Sequence, residues 1–428
     1  MCEHARVSAT VLVVGGGGRE HAIVRALSRS NRRPRIVCAP GNAGIALDAE
    51  CVPVDATDAG EVTRLARSIG ADLAVIGPEA PLVAGVADAL RAEGIPTVGP
   101  GAAAARLEGS KAFSKDVMVA AGVPTARAIT VTSVEEGMAA VAELGPFVAV
   151  KADGLAAGKG VVVAHDPDTA RSALDACLTH GVFGDAGRQV VVEEGLTGNE
   201  VSLLAVCSGG VVSRFPAARD YKPIGEGNTG PNTGGMGSVS PIPDIPDDMA
   251  DRLVDEVHRP VIAELERRGI PFTGVLYAGL MMTADGPRVL EFNTRFGDPE
   301  TQALLPRLDE DPYDLMEAIA TGTLEDRPVR TSDDACVAVV LAAHGYPGTP
   351  RGGDVISGLE AAAATGADVF HAGTATDAEG RIVTAGGRVL AVARRGATVA
   401  AARAAAYDSA SHISWEGMIM RRDIASGL

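Results

Sequence analysis

The chain has 428 residues, which at roughly 100–200 residues per domain predicts two to four domains. Hydrophobic residues make up 46% and charged residues 22%, a composition that is typical of globular proteins and excludes a disordered chain. The formal net charge is −17, which argues against a general binder of nucleic acid or of anionic membranes, because such binding depends on basic patches. Small anionic ligands are not excluded, since a few cations in a cleft are enough for them.

The cysteines and the start of the chain indicate the compartment. The six cysteines form no CxxC motif and show no close pairing, so we expect reduced thiols, and neither structural zinc nor a disulfide framework. The sequence contains no run of 18 apolar residues, so we expect no membrane-spanning helix. The first residues include Glu3 and no long apolar core, so we expect no signal peptide. These features together predict a cytoplasmic protein that does not contact membranes.

Lysine is unusually rare in this chain. The sequence has 38 lysines and arginines together, and nearly all of them are arginine. A lysine that is retained indicates a need for a compact ammonium group, as at a phosphate. All the lysines fall between residues 111 and 222, at Lys111, Lys115, Lys151, Lys159 and Lys222.

The N-terminal third alternates short apolar runs with helical patterns, which predicts a parallel, doubly wound sheet. The predicted strands are 10–14, 35–39, 73–76 and 97–98, and the predicted helices are 21–29, 58–69 and 80–93.

The middle of the chain shows a different pattern of apolar residues. Ser110 is expected to cap a helix that ends near Ala121. Paired apolar runs then predict one antiparallel sheet from strands 147–151, 160–164, 189–194, 200–207 and 210–215. The segment 223–243 is rich in Gly, Pro and Asn without periodicity, and a loop of that length is usually functional.

The remainder predicts more strands and helices and a small third unit. Helix 247–268 precedes strands 273–283 and 287–293 and helices 299–308 and 312–320. After Thr321, strands 335–343, 369–372, 381–384 and 388–394 and helix 398–410 predict a small α+β unit. The predicted class is a multidomain α/β and α+β protein.

Three glycine-containing turns follow consecutive predicted parallel strands. They are 15–18, 40–44 and 77–79, at the sheet edge where open α/β proteins bind ligands. The first turn suits a phosphate at a helix N-terminus, but its spacing does not match the GxGxxG pattern of dinucleotide-binding proteins. A purely structural role for each turn remains open.

The segment Lys151–Gly160 joins two predicted strands and carries a lysine near each end. Such a loop can cover a triphosphate, yet it is not a Walker A loop, because Lys159 is followed by Gly160 and not by Ser or Thr. The alternative is a flexible hairpin with incidental lysines, which the rarity of lysine disfavours.

Three further segments carry candidate ligand groups. Glu193–Glu200 joins two strands and could offer backbone groups to an adenine, with Glu200 accepting ribose hydroxyls. Glu291 and Asn293 are two apart on a strand, which puts two hard oxygen ligands on one face, as suits Mg²⁺. Asp220 and Lys222 precede the glycine-rich segment 230–237, which suits a substrate anion or a phosphoryl group.

Together these motifs resemble the ATP-grasp superfamily. Longer strings resemble the phosphoribosylamine–glycine ligase family of purine synthesis over essentially the whole chain. The strings are GGGGREHA, APGNAG, VIGPEAPLVAGVAD, LEGSKAFSKD, VAVKADGLAAGKGVVVA, TGPNTGGMGSVSP, GVLYAGLM, EFNTRFGDPETQ, FHAGT and GGRVL. The resemblance implies an N-terminal Rossmann-like domain (1–109), an ATP-grasp domain (110–325) with a mobile lid subdomain at about 125–195, and a C-terminal domain (326–428).

The resemblance also implies roles for individual residues. Those expected at the reacting centre are Asp220, Lys222, Arg295 and Asp298. Those expected to bind ATP are Lys111, Lys151, Gly158, Lys159, Glu193, Glu194, Leu196 and Glu200. Those expected to bind the other substrates are Gly16, Gly17, Gly18, Pro40, Gly41, Asn42, Gly44, Pro78, Glu79, Asp153, Asn232, Thr233, Gly234, Gly235 and Met236. Glu291 and Asn293 are expected to bind Mg²⁺ or Mn²⁺.

The implied reaction joins glycine to 5-phospho-β-D-ribosylamine with ATP, through glycyl phosphate, in a monomeric enzyme. The chain departs from the family pattern at Arg219 and Tyr221 beside Asp220, at Gly195, and at Asn199. Two alternatives remain: a carboxylase or formyltransferase of the same superfamily, which should lack the PNTGGMG and RFGDPETQ strings, and a nucleotide-binding regulator without catalysis. His21 opens a helix beside the first glycine turn and is a weaker candidate for substrate contact.

Overall fold

The computed structural model describes residues 9–156 and 160–428. The predicted N-terminal parallel sheet is confirmed, and we call it the N-terminal sheet. All its strand pairs are parallel. Every residue of its central strand is buried, which explains the unbroken apolar run. In spatial order its strands are Glu50–Cys51, Arg35–Pro40, Thr10–Gly15, Leu73–Ile76 and Thr97–Val98.

The antiparallel strands that the sequence placed in one sheet divide into two, and that prediction is wrong. The first, the lid sheet, runs in the order Ala128–Val131, Val190–Glu194, Val148–Ala152 and Val161–Ala164. The second, the central sheet, runs in the order Val211–Arg214, Asn199–Ser208, Gly274–Thr283 and Gly286–Asn293. The division falls after Glu194, because Gly195–Gly198 carries the chain from one sheet to the other.

The last sheet, the C-terminal sheet, takes strands from two distant parts of the chain. Its order is Arg219–Asp220, Gly237–Ser240, Ala335–Ala342, Arg388–Gly396 and Asp368–His371. Gly237–Ser240 therefore lies inside the segment that the sequence predicted as one long loop. A small hairpin of Pro223–Gly225 and Thr229–Asn232 also forms there, so the prediction of an unstructured loop is wrong. A second hairpin pairs Thr374–Thr376 with Ile382–Thr384.

Helices cover the sheets and mostly agree with the predicted pattern. Ser110 caps its helix as predicted, accepting a hydrogen bond from the N–H of Phe113. The predicted helix 80–93 is broken at Gly85, whose φ of +82° is left-handed. The helices of eight or more residues are Gly18–Ser28, Ala59–Ile69, Ala102–Gly109, Lys111–Ala121, Val134–Leu144, Pro167–Leu174, Arg259–Arg267, Pro312–Thr321 and Val399–Ala410. Within the described residues, no helix has the length and apolar character to cross a membrane.

The end of the chain fastens the small hairpin of residues 223–232. Arg421 is almost fully buried and donates to Pro223 O and Asn228 Oδ1, each at 3.0 Å. Its guanidinium also pairs with Asp423 and lies 5.2 Å from the centre of the Tyr221 ring. Tyr221, a departure from the family pattern, is therefore a packing partner of this arginine.

Replacing Arg421 by Met should lower the stability of the protein. The change removes charge-assisted hydrogen bonds from the buried guanidinium to the carbonyl groups of Pro223 and Asn228. We expect the loss to cost about 2 kcal/mol, because Asp423 stays partly hydrated. The apparent Tm should fall by several degrees in a thermal melt. The neighbouring exposed Arg422, replaced by Met, is the control and should leave the Tm unchanged. Equal Tm values for the two variants would contradict this role.

Candidate active site

A cleft of about 300 Å³ lies where the lid sheet faces the central sheet. The lid sheet contributes residues that include Ala149, Lys151, Glu193 and Glu194. The central sheet contributes Tyr277, Met281 and residues 290–293. Further lining residues come from the helix Lys111–Ala121 and from the segment 232–234. The cleft is therefore built from residues that are far apart in the chain.

All four lysines within the described residues line this cleft: Lys111, Lys115, Lys151 and Lys222. The fifth, Lys159, lies outside the described residues together with Gly158, which the sequence also assigned to ATP. The lysine count thus points to one location, as the sequence analysis anticipated. Lys115 is the member that no motif assigned.

Two of these lysines hold one buried carboxylate. Glu193 Oε2 lies 3.0 Å from Lys151 Nζ and 3.2 Å from Lys115 Nζ. Burial lowers the pKa of Lys115 to about 8, although the charge of Glu193 opposes that shift. The second carboxylate oxygen, Glu193 Oε1, is buried without a hydrogen-bond partner in the described part of the chain. An acceptor in this condition suits an N–H donor of a ligand.

Phe147 occupies the space beside Gly195. A Cβ on Gly195 would lie 2.2 Å from Phe147 Cδ1, so a larger residue cannot fit there without displacing the ring. The Phe147 ring stacks on His165, with 4.7 Å between ring centres and 5° between planes. Both Phe147 and Gly195 line the cleft. The departure at Gly195 is therefore accompanied by an aromatic wall from Phe147, the residue before the neighbouring strand Val148–Ala152.

Glu291 and Asn293 lie together at the end of the central sheet and line the cleft. Burial alone would raise the pKa of Glu291, but Lys222, Lys151 and Lys111 lower it below its usual range. The described residues contain no cluster of three or more His, Cys, Asp or Glu that could hold a metal. Two protein oxygens fit Mg²⁺, which retains waters and binds the phosphates of its nucleotide.

A second charged group lies around Lys222. Its Nζ is 2.8 Å from Glu200 Oε2. Burial alone would lower the pKa of Lys222, but Asp220 and Glu200 raise it well above its ordinary value. Burial raises the pKa of Asp220 to about 7, Lys222 opposes the rise, and the charge of Glu300 adds to it. Lys222 is thus a fully protonated cation in the cleft.

Arg295 is held by two carboxylates. It lies 3.3 Å from Glu79 and 2.8 Å from Glu108. It also donates to Asn293 Oδ1 at 3.3 Å, which connects it to the candidate metal ligands. This network joins the N-terminal sheet to the central sheet.

The glycine turns of the N-terminal sheet are bonded mainly to one another. Glu20 Oε2 accepts from the N–H of Gly17 at 2.5 Å, so the first helix is capped by its own carboxylate. Asn42 donates to Gly16 O and to His371 O, and its Oδ1 accepts from the N–H groups of Gly44 and Ile45. A Cβ on Gly17 would lie 3.8 Å from Asp298 Oδ2, which places this turn beside the cleft.

His21 is fully buried and has a structural position. It bonds Asp48 at 2.8 Å and accepts at Nδ1 from the N–H of His371 at 2.7 Å. Burial lowers the pKa of His371 to about 3. His21 therefore joins the N-terminal and C-terminal sheets.

The structure gathers many of the residues that the sequence singled out. Those lining the cleft are Glu79, Lys111, Lys151, Glu193, Glu194, Leu196, Glu200, Asp220, Lys222, Asn232, Thr233, Gly234, Glu291, Asn293, Arg295 and Asp298. Those that lie outside its lining are Gly16, Gly17, Gly18, Pro40, Gly41, Asn42, Gly44, Pro78, Asp153, Gly235 and Met236. Asp153 accepts from the N–H of Ala112 at 2.9 Å and so holds the start of the helix Lys111–Ala121.

Several cleft residues were missed by sequence reasoning. They are Lys115, Glu108, Phe147, Tyr277 and Glu300. The rarity of lysine already gave a signal for Lys115. Tyr277 lies inside a strand, Glu108 lies inside a helix, and Phe147 and Glu300 each come just before one. At such positions a sequence alone gives no sign that a side chain faces a cleft.

Family models match three successive parts of the chain. They are described as the N domain, the ATP-grasp (A) domain and the C domain of phosphoribosylglycinamide synthetase, and they match residues 9–108, 109–301 and 336–427. The fold resembles solved ATP-grasp structures even at low identity: the biotin carboxylase domain of Hydrogenobacter thermophilus 2-oxoglutarate carboxylase is 16% identical with a TM-score of 0.74, covering 97% of this chain and 92% of that one. The chain is therefore an ATP-grasp enzyme.

Proteins with higher sequence identity to this chain identify its family within the ATP-grasp enzymes. The phosphoribosylamine–glycine ligase of Streptomyces coelicolor is 52% identical, covering 97% of this chain and 98% of that protein. The enzyme of the same name from Mesorhizobium japonicum is 48% identical over 97% of both chains. The crystal structure of the Thermotoga maritima phosphoribosylamine–glycine ligase is 34% identical with a TM-score of 0.85, covering 97% of this chain and 100% of that one. This chain belongs to the phosphoribosylamine–glycine ligase family.

Proposed function

We propose that the chain joins glycine to 5-phospho-β-D-ribosylamine with ATP, giving glycinamide ribonucleotide, ADP and phosphate. The observation that carries the proposal is the cleft itself. It combines four lysines with Glu291 and Asn293, in a chain that has almost no lysine elsewhere. Such a set suits phosphoryl transfer to a carboxylate, which depends on positioning and charge neutralisation and needs no protein nucleophile.

The chemistry proceeds in two displacements. A carboxylate oxygen of glycine attacks the γ-phosphorus of ATP, the bond from that phosphorus to the β,γ-bridging oxygen breaks, and ADP leaves. The ribosylamine nitrogen then attacks the carbonyl carbon of glycyl phosphate. The carbon–oxygen bond breaks, phosphate leaves, and the nitrogen gives up one proton. Lys151, Lys222 and Arg295 would neutralise the charge that develops on the phosphoryl oxygens.

The nucleotide would lie between the two antiparallel sheets. Lys111 and Lys151 would contact its phosphates, together with Gly158 and Lys159 from the loop of the lid. Glu193, Glu194 and Leu196 would surround the adenine, and the unpartnered Glu193 Oε1 supports an N–H donor there. Glu200 would accept the ribose hydroxyls.

Glu291 and Asn293 would hold the divalent ion, either Mg²⁺ or Mn²⁺. When bound, the ion neutralises phosphate charge and orients the transferred group. The phosphoribosylamine would lie toward the glycine turns 16–18, 40–44 and 78–79, with Asp153 and residues 232–236 completing the substrate surface. Asp298 would face the reacting centre beside Gly17.

The setting of the enzyme is part of the proposal. We infer a cytoplasmic monomer that binds small molecules and no nucleic acid. The five cysteines within the described residues are free thiols, which supports a reducing compartment. The net charge of −17 supports the absence of nucleic acid.

Omission of each substrate in turn tests the function. Phosphate release from ATP by the purified protein with Mg²⁺ should require both glycine and freshly made phosphoribosylamine. Glycinamide ribonucleotide should appear in equal amount. Release supported by bicarbonate or formate in place of glycine would assign the chain to a sister activity. ATP binding without phosphate release under all these conditions would indicate a regulator.

Substitutions at Phe147 and Gly195 test whether the aromatic ring in the cleft wall contributes to ATP binding. Phe147→Ala should raise the KM for ATP about three- to tenfold, because aromatic packing on the base is lost. Gly195→Phe should also impair ATP binding, since the new ring overlaps Phe147. The double variant moves the ring from residue 147 to residue 195 and should recover part of the loss. Additive impairment in the double variant would contradict this compensation.

A further inference from the structure

The carboxylates that line the cleft differ in how their charge is balanced. Six of them form salt bridges, and these are Glu79, Glu108, Glu193, Glu194, Glu200 and Asp298. Asp220, Glu291 and Glu300 also line the cleft and form no salt bridge within residues 9–156 and 160–428. A buried carboxylate without a cation is costly unless a ligand supplies one. Glu291 has the divalent ion as its proposed partner, so Asp220 and Glu300 are left over.

Glu300 is firmly held by neutral groups. It is 2% exposed, and its Oε1 accepts from Tyr277 Oη and from Ser202 Oγ, each at 2.9 Å. These two hydroxyl groups are themselves 3.0 Å apart, so the carboxylate is fixed from one side. Its Oε2 accepts no hydrogen bond from the described residues. A buried, oriented carboxylate with a free acceptor atom in the cleft wall suits a positively charged ligand group.

Asp220 belongs to the same pocket of negative charge. Asp220 pairs with Ser238 on the neighbouring strand, and Ser238 Oγ donates to the carbonyl oxygen of Pro299, the residue before Glu300, at 2.7 Å. Lys222 does not fully neutralise the pair, because its Nζ bonds Glu200 at 2.8 Å. Tyr277, whose hydroxyl group holds Glu300, is paired with Asn293 on the neighbouring strand. The two carboxylates therefore lie beside the proposed metal ligands and hence beside the phosphate to be transferred.

We propose that the carboxylates of Asp220 and Glu300 bind the ammonium group of glycine. This inference rests on the proposed function. Of the groups that the three substrates bring, this ammonium is the one that must stay positive, since the ribosylamine nitrogen attacks as the neutral amine. One carbon separates the ammonium of glycine from its carboxylate. An ammonium site next to the metal ligand therefore directs the carboxylate toward the γ-phosphate.

Glu300→Gln tests this site without changing side-chain size. The KM for glycine should rise at least about tenfold, because a charge-assisted contact is lost. The KM values for ATP and for phosphoribosylamine should change less than about twofold. Tyr277→Phe keeps the charge and removes one of its two supporting hydroxyls, so it should give a smaller rise that is again confined to glycine. Glu194→Gln is the matched control, because Glu194 is a cleft carboxylate that pairs with Arg127 and not with Lys222. Its loss should raise the KM for ATP and leave the KM for glycine unchanged.

Loss of the ammonium site must be distinguished from a general loss of enzyme activity. Glycine dependence of phosphate release by the unchanged protein is measured first, and its absence would refute the proposed function itself. An unchanged glycine KM in a folded Glu300→Gln protein would overturn the ammonium site. A rise in the Mg²⁺ requirement or in the KM for phosphoribosylamine, with the KM for glycine unchanged, would also overturn the ammonium site. The carboxylate of Glu300 would then bind another ligand.

A measurement on the unchanged protein covers the case in which Glu300→Gln does not fold. Glycolate has the shape and carboxylate of glycine and a neutral hydroxyl in place of the ammonium. Its inhibition constant against glycine should exceed the glycine KM at least about tenfold. Equal binding of glycolate and glycine would show that the ammonium charge is not recognised and would overturn the proposal.

Discussion

Replacing Lys151 by Ala should lower kcat by about 10²- to 10³-fold. Lys151 stands near the end of the strand Val148–Ala152, and its Nζ is fixed by Leu290 O at 2.9 Å and by Glu193 at 3.0 Å. A cation held this way costs no reorganisation when charge develops on the transferred phosphoryl group. The loss should therefore appear in turnover.

The fold should survive this change. Glu193 keeps its second partner, Lys115, at 3.2 Å, so no buried carboxylate is left without a cation. Arg188→Ala is the control within the lid, because Arg188 is highly exposed and its ion pair with Asp185 lies at the surface. Steady-state kinetics and circular dichroism of both variants check the prediction. Near-normal turnover in folded Lys151→Ala would refute the role of Lys151.

Glu291→Gln should lower kcat by about 10²- to 10³-fold, as expected for Lys151→Ala. The loss should arise because the variant holds the divalent ion more weakly. The amide keeps the shape of the side chain and removes the charge that suits a hard cation. The concentration of Mg²⁺ needed for half-maximal rate should therefore rise. Asp285→Asn is the control, since Asp285 is an exposed carboxylate in the turn between the strands Gly274–Thr283 and Gly286–Asn293. An unchanged Mg²⁺ requirement in Glu291→Gln would exclude Glu291 as a metal ligand.

The parts of the fold that the sequence predicted share one property. Strands such as Thr10–Gly15 and Leu73–Ile76 are buried throughout, so their apolar runs stand out between glycine turns. The helix Lys111–Ala121 carries its own start and stop signals in Ser110 and Gly122. These signals are local, and a sequence displays them directly.

The parts that were wrong depend on distant partners. Val190–Glu194 and Asn199–Ser208 are neighbours in the chain but pair with different strands, the first with Ala128–Val131 and the second with Gly274–Thr283. Gly237–Ser240 forms a strand because Ala335–Ala342 pairs with it. Short, glycine-rich segments have little preference of their own, so the tertiary structure decides their state.

The candidate site shows the same division. Glu291 and Asn293 were found because their spacing puts two oxygen ligands on one face of a strand, and Lys151 because it borders a glycine-rich loop. Glu300 and Tyr277 were missed because their importance arises from a contact across 23 residues, Tyr277 Oη to Glu300 Oε1 at 2.9 Å. No pattern in the sequence announces that hydrogen bond.

Transfer of an oxygen atom from glycine to phosphate tests the central claim most directly. Glycine labelled with ¹⁸O in both carboxylate oxygens is turned over with ATP, Mg²⁺ and phosphoribosylamine, and the products are analysed by mass spectrometry. Activation of the carboxylate in the cleft predicts one ¹⁸O atom in each phosphate released and one in each glycinamide ribonucleotide. Phosphate without label, in the presence of product, would contradict the transfer of the phosphoryl group to glycine.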